Sequence, residues 1–384
     1  MISEKDMEFV ADFLECVATK VSLMAERIGA NFPSASNGDG TWDALGEKSN
    51  VANWTSGFWP GMMWLMYIKT GDSKYRTIAE KCEERMDEAL CAKFDELHHD
   101  VGFMWILSSV ASYKLTGNEV SKKRALHAAT ILAGRYNHYA KFIRAWDFGS
   151  IGGAIIDCMM NIQLLYWASE ETKDPRFAQI ATAHATTAMN HFVRPDGSVN
   201  HIVEFDPETG DVVNVPRGQG YAEGSSWSRG QAWALYGFVL AYINSGRTEF
   251  LDTAKRVAHY FIANITEGEL PLVDFRAPAE PVYYDASAAA IAACGLIEIS
   301  KTVGEYESIM YENATIKLLR ALEKDCNFGK EKLCVLQRSS GAYHMPKGIH
   351  LPWIFGDYYL LEALMKLYGN DGSFSLHKNE RQKI

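Results

Sequence analysis

Across its 384 residues the sequence has no uninterrupted apolar run long enough to cross a bilayer. A membrane-spanning helix is therefore not expected. A secretory leader is not expected either, because M-I-S-E-K-D-M-E-F-V-A-D carries acids where a leader has a basic start and an apolar run. The expectation is a soluble, cytoplasmic protein. There is no C-x-x-C pair: the seven cysteines, Cys16, Cys82, Cys91, Cys158, Cys294, Cys326 and Cys334, are odd in number and read as free, buried thiols. Positive charge is short as well. With 38 Lys and Arg against 48 Asp and Glu the net charge is -10, which argues against nucleic acid and anionic membranes as partners. An acidic ligand would need locally placed Arg or Lys. Strand signals are confined to short pieces near 199–205 and 211–215.

What is present is helical periodicity and aromatic side chains. Ten tryptophans are rich for a soluble chain, and indoles are frequent stacking platforms for sugars. Five times a buried-looking helix ends in a short polar turn, as in Y-I-K-T-G-D-S-K-Y, and an amphipathic helix follows. Counting around these turns gives about twelve helices, near 4–28, 56–69, 73–91, 101–115, 119–137, 151–169, 175–192, 227–244, 248–264, 286–302, 306–324 and 354–368. Those starting near 56, 101, 151, 227, 286 and 354 are apolar on nearly every side, and their successors carry charge on one face. An inner ring of six apolar helices inside an outer ring of six amphipathic ones satisfies the pattern. The expected fold is all-α, a six-hairpin (α/α)6 barrel in one domain over 1–384, with an irregular tail from about 371. A stacked solenoid is the alternative. Long connections precede the inner helices at one common end, which predicts a single cleft there.

Three stretches invite chemistry. The run from Ile151 to Trp167 reads as one helix surrounded by protein, with Asp157 in its middle and Gly153, Asp157 and Asn161 on one face. A carboxylate there costs several kcal/mol unless it is paired or protonated, so that face is expected to line a cavity. His98-His99-Asp100-Val101-Gly102-Phe103 opens another inner helix, with Asp100 either a plain N-cap or a second functional acid. The His pair suggests a metal, but adjacent side chains diverge and no H-E-x-x-H is present. Trp227-Ser228-Arg229-Gly230-Gln231-Ala232-Trp233 places Arg229 and Trp233 on one face, suited to an acidic sugar, with the guanidinium fork on its carboxylate. An internal acid partner for Arg229 and tryptophans filling the core are the structural alternative. Asn53-Trp54-Thr55-Ser56-Gly57-Phe58-Trp59 has the same character.

Taken together, N-W-T-S-G-F-W, H-H-D-V-G-F, I-I-D-C-M-M-N, W-S-R-G-Q-A-W-A-L-Y-G-F and G-D-Y-Y-L-L-E-A-L, in order over roughly 54–364, resemble the unsaturated glucuronyl hydrolases of glycoside hydrolase family 88. The resemblance implies a six-hairpin barrel. It also implies cleavage of unsaturated uronic acid from the non-reducing end of oligosaccharides left by polysaccharide lyases. Carried over by motif, Asp157 is the catalytic acid/base and Asp100 the second carboxylate. Trp54, Trp146, His201, Gln219, Trp227, Arg229 and Trp233 match positions around the sugar. No metal or organic cofactor is implied.

The substrate's C4=C5 bond makes an enol ether. A neutral Asp157 would protonate C4, water would add at C5, and the hemiketal would open with loss of the aglycone. Burial and a negative Asp100 would both hold the proton on Asp157. Arg338, His344 and Lys347 are candidate contacts to an aglycone or its sulfate. The alternatives are the related unsaturated rhamnogalacturonyl hydrolases, a conventional inverting glycosidase and a non-catalytic sugar-binding protein.

Overall fold

A computed structural model describes residues 2–37, 39–42, 50–369 and 374. The tail expected from about 371 lies outside them, apart from Phe374. The chain opens with α1 (Glu4–Ile28), followed by α2 (Phe58–Thr70) and α3 (Ser73–Arg85), with the short α4 (Asp87–Cys91) after a break at Met86. Next come α5 (Val101–Trp105), a π-helical turn over Ile106–Val110, α6 (Ala111–Thr116) and α7 (Glu119–Gly134). The remainder is α8 (Cys158–Asn161), α9 (Gln163–Thr172), α10 (Pro175–His191), α11 (Ser228–Ser245), α12 (Thr248–Ala263), α13 (Ala286–Thr302), α14 (Glu305–Asp325) and α15 (Ile354–Leu367).

The repeated turns have one local grammar. Gly71, with φ 71°, closes α2 by donating its N–H to the Tyr67 carbonyl, and the Asp72 carboxylate then accepts from Lys74 N–H to start α3. Asn118 and Asp174 cap α7 and α10 in the same way. The chain thus reverses within two or three residues and packs each outer helix on its inner neighbour.

The inner helices form a closed ring. α2 packs on the π-helical turn that follows α5 and meets α5 itself through Phe58 and Phe103, ring centroids 5.5 Å apart; α5 touches α8, α8 touches α11, α11 touches α13, α13 touches α15, and α15 returns to α2. Behind them α3, α7, α10, α12 and α14 form the outer layer, and α1 completes it by packing on α15. An ion pair between Arg320 of α14 and Asp6 of α1, 2.7 Å apart, ties the two ends of that layer together. This is the expected (α/α)6 barrel, and its closure through α1 disposes of the open solenoid. Large aromatics fill the interior: Trp59, Trp64, Trp105, Trp233, Tyr236, Tyr358 and Tyr359 are fully buried.

Deep in the ring lies a buried ionic cluster. Lys366 Nζ is 2.9 Å from Glu298 Oε1, 2.8 Å from Glu362 Oε1 and 2.5 Å from the Tyr236 hydroxyl, which also donates to Glu362. It joins α11, α13 and α15 away from their N-terminal ends.

Two expectations need correction. Residues 151–169 are not one helix: Gly153–Ile155 form strand β3, and helix begins only after Asp157. β1 (Tyr136–Asn137) pairs with β2 (Phe142–Ile143), and β3 pairs antiparallel with β4 (Ile202–Phe205), which pairs with β5 (Val212–Asn214). An apolar run buried on all sides carries no periodicity to distinguish strand from helix. The cysteines are all free, but Cys16 and Cys91 are exposed and Cys326 half-buried, so only four are buried as expected. No helix among the described residues is long and apolar enough to cross a membrane.

Candidate active site

Because the inner helices run the same way round a closed ring, their N-termini gather at one end. Asp100, Asp157, Trp227, Asp285 and Trp353 each stand immediately before one of them, and Trp54 stands one short turn ahead of α2.

Asp157 is placed by the β3–β4 ladder. Ile155 pairs with Ile202, and Ile156 N–H donates to the His201 carbonyl at 3.0 Å, which sets His201 beside the acid. His201 Nε2 lies 3.4 Å from Asp157 Oδ1. The other ring nitrogen, Nδ1, accepts from Gln219 N–H at 3.0 Å, so the ring proton lies on Nε2 and faces the carboxyl group. Gly218 makes this possible: a Cβ there would lie 2.0 Å from His201 Nδ1, and its φ is 59°. The His201 ring also packs against Trp227, with centroids 4.4 Å apart.

Asp100 occupies the position before α5, yet its side chain caps nothing. The cap comes from another helix. Asn161 Oδ1 accepts from Phe103 N–H at 2.7 Å, and its Nδ2 donates to Asp100 Oδ1 at 2.8 Å and to the Asp157 carbonyl at 3.3 Å. Around Asp100, His98 Nδ1 is 3.4 Å from Oδ2 and His99 Nε2 is 3.4 Å from Oδ1.

Burial, reinforced by the charge of Asp157, pushes the Asp100 pKa up to about 8 against the opposing Asn161 hydrogen bond. Burial also lowers His98 to about 4, with Arg135 adding to it, and lowers His99 well below the ordinary histidine range. The expectation of a negative Asp100 pressing a proton onto Asp157 is therefore corrected. Asp100, walled in by protein and neutral imidazoles, is itself held protonated near neutral pH.

His98, His99 and Asp100 do bring ligand-type atoms within 4.8 Å of one another. In this geometry Asp100 Oδ1 is occupied by the Asn161 amide, as suits a proton-bearing carboxyl group. Among the described residues, several buried polar atoms here lack a hydrogen bond: Asp157 Oδ1, His201 Nε2, both nitrogens of His99, and the indole nitrogens of Trp227 and Trp233. Polar groups that stay unsatisfied in a native interior need a reason, and a site that receives a polar ligand is one.

The remaining expected residues divide into two groups. Trp54 is half-buried, its ring 5.1 Å from Phe355, and Trp146 is half-buried, stacked at 5.5 Å on the exposed Phe148. Trp227 and Trp233 are buried and stand behind the surface, Trp233 packing on Phe103 at 5.1 Å and on Tyr359 at 5.4 Å.

Arg229 departs from its expected role. Its guanidinium is buried, 2.5 Å from Asp285 Oδ2, and donates to the carbonyls of Ser340 and, at 2.6 Å, Gly341. The fork is closed on an internal acid and a loop instead of lying open for a substrate carboxylate. Gln219 braces the same loop, its Nε2 donating to the Gly341 carbonyl at 3.0 Å.

Among the candidate aglycone contacts, Arg338 Nε is tied to Asp325 at 2.6 Å, and His344 Nε2 lies 2.6 Å from the Tyr221 carbonyl. Lys347 is exposed on the turn Pro346–Gly348. Sequence reasoning assigned no role to Asn161 and missed Asp285. Asn161 had shown itself through its four-residue spacing from Asp157. Asp285, directly before an Ala-rich helix, carried no signal beyond that place in the chain.

Comparison with known proteins finds relatives along nearly the whole chain. The family model described as Glycosyl Hydrolase Family 88 matches residues 24–347. An unsaturated glucuronyl hydrolase from Bacillus sp. (strain GL1) is 38% identical over 355 residues, covering 89% of this chain and 92% of that one. An unsaturated chondroitin disaccharide hydrolase from Streptococcus pyogenes is 34% identical over 373 residues, covering 94% and 92%. The solved structure of the unsaturated glucuronyl hydrolase from Bacillus sp. GL1 superposes with a TM-score of 0.90 at 36% identity, covering 96% of this chain and 100% of that one. With the family model spanning most of its length and such relatives beside it, the chain belongs to glycoside hydrolase family 88.

Proposed function

We infer that the carboxyl pair at the mouth of the ring performs the chemistry for which these relatives are named. The protein is a glycoside hydrolase that releases 4-deoxy-4-ene glucuronic acid from the non-reducing end of small lyase-generated oligosaccharides. The observation that carries this reading is the pair itself. Asp157 and Asp100 begin neighbouring inner helices and share Asn161, and the ring proton of His201 is aimed at Asp157.

In turnover the proton held by Asp100 passes to Asp157, which gives it to C4 of the enol ether and then takes one from the water that adds at C5. The resulting hemiketal opens, and the hemiacetal at C1 releases the aglycone. Asp100, protonated up to about pH 8, limits the negative charge that an anionic sugar meets. The positive ends of the inner helices favour that anion further. Trp54, with Trp146 and Phe148 at the rim, offers aromatic faces to the ring, and His201 and Gln219 order the polar side. Trp227 and Trp233 back this surface, and Arg229 holds its loop. The seven free thiols support a reducing, cytoplasmic setting. Lys347 is the candidate reader of a sulfated aglycone. Lys347→Ala should then lower kcat/KM for sulfated disaccharides and leave unsulfated ones unchanged.

The test of the assignment is Asp157→Asn, nearly isosteric and unable to exchange the proton. Loss of turnover by several orders of magnitude with unchanged helical circular dichroism is expected. Retention of a tenth of the activity removes Asp157 from the role.

A further inference from the structure

The capping of α5 is unusual. An aspartate directly before a helix ordinarily accepts from the second or third N–H of that helix. Here the third, Phe103 N–H, is taken by Asn161 Oδ1 from α8, and Asp100 is left free of the backbone. Because that N–H demands an acceptor, the orientation of the Asn161 amide is fixed: Oδ1 faces Phe103 and Nδ2 faces Asp100. Gly102 allows the approach, since a Cβ there would lie 2.4 Å from Asn161 Cα and 2.6 Å from its Oδ1. Asn161 is wholly buried.

We propose that Asn161 is a positioning residue of the reaction, capping α5 in place of Asp100 and holding the Asp100 carboxyl so that Oδ1 only accepts and the exchangeable proton is confined to Oδ2. The proposal rests on the reading of Asp100 and Asp157 as the reacting pair. Without Asn161, Asp100 has two alternatives. It can turn back to cap Phe103 N–H, as an aspartate before a helix normally does, or it can rotate with its proton on either oxygen. Both dissolve the geometry with Asp157, whose carbonyl the same amide also holds. Direct contact with the sugar is not part of this role, so its loss acts on turnover more than on binding.

The experiment compares Asn161→Leu and Asn161→Asp with Asp157→Asn, following loss of the unsaturated chromophore across pH. Asn161→Leu removes all three hydrogen bonds of this side chain. Its kcat should fall about a hundredfold or more with KM within about threefold. The alkaline limb of kcat/KM should move to higher pH, because the lost donor had favoured the ionised form of Asp100.

Should Asn161→Leu fail to fold, Asn161→Asp keeps the acceptor for Phe103 N–H and loses only the donor. It should fold, be slow at neutral pH, and recover as pH falls, when the introduced carboxyl group can again donate to Asp100. Wild-type kcat with an unmoved profile in Asn161→Asp overturns the proposal. So does a fall in kcat for Asn161→Leu whose alkaline limb stays in place, which is the mark of a merely structural residue. An active Asp157→Asn overturns the carboxyl-pair reading instead, so the two failures are separable.

Discussion

Asp100 shows how a side chain acquires a chemical role from its surroundings. The sequence pointed to it through H-H-D, but its protonation follows from surroundings no motif displays: burial, reinforced by the charge of Asp157. Its folded-state pKa lies above the ordinary value of 3.8. The native protein therefore keeps a proton that the unfolded chain gives up between about pH 4 and 8. The stability this contributes is full below about pH 4 and is lost as pH rises through about 8.

Asp100→Asn, which cannot ionise, should therefore be more stable than the parent at pH 8, on the order of a few kcal/mol. The gap should close toward pH 4, as read by urea unfolding at the two pH values. Equal gaps at both would show that Asp100 ionises normally. In the parent protein kcat/KM should fall above about pH 8 as the same group loses its proton.

Arg229 was legible as a functional-looking residue, but its partner, 56 positions away in sequence, was not. Arg229→Met strands Asp285 in the interior and should cost about 3–5 kcal/mol in urea unfolding. Unchanged stability together with a raised KM would return Arg229 to the substrate.

At the scale of elements, the helix-turn-helix units could be read from T-G-D, T-G-N and T-K-D turns, because those residues carry their own capping chemistry. The segment around Asp157 was misread because a wholly buried strand and a wholly buried helix share a composition. The ladder that distinguishes them is formed with β4, far along the chain. The short 202–205 and 212–214 strands were legible; their third partner was not.

The ionic cluster on α11, α13 and α15 was likewise invisible, since Glu298, Glu362 and Lys366 look like ordinary charges in sequence. Lys366 is about 18 Å along α15 from its start, at 1.5 Å per residue, and so stands well away from the site. Lys366→Met takes from the buried Glu298 and Glu362 the cation they share, while Lys301 stays 3.5 Å from Glu298. It should lower stability by about 3–5 kcal/mol while kcat stays unchanged below the unfolding transition. A large loss of kcat in the folded variant would instead show that the cluster sets the geometry of the carboxyl pair.

For the whole molecule, alternation of apolar and amphipathic helices was sufficient to predict a two-layered ring. A helix apolar on every side can only lie inside, and six of them close on one another. The ring then collects the N-termini of its inner helices at one end, which is where sequence-distant Asp100, Asp157 and His201 meet. The claim that follows is that the enzyme hydrates an enol ether and does not attack the anomeric carbon. It is tested most directly by one turnover in oxygen-18 water, with the product reduced at once by borohydride to block carbonyl exchange, and the label located by mass fragmentation. The account predicts oxygen-18 at C5 of the released sugar acid. Label at C1 would contradict it and return the chain to an ordinary two-carboxylate glycosidase mechanism.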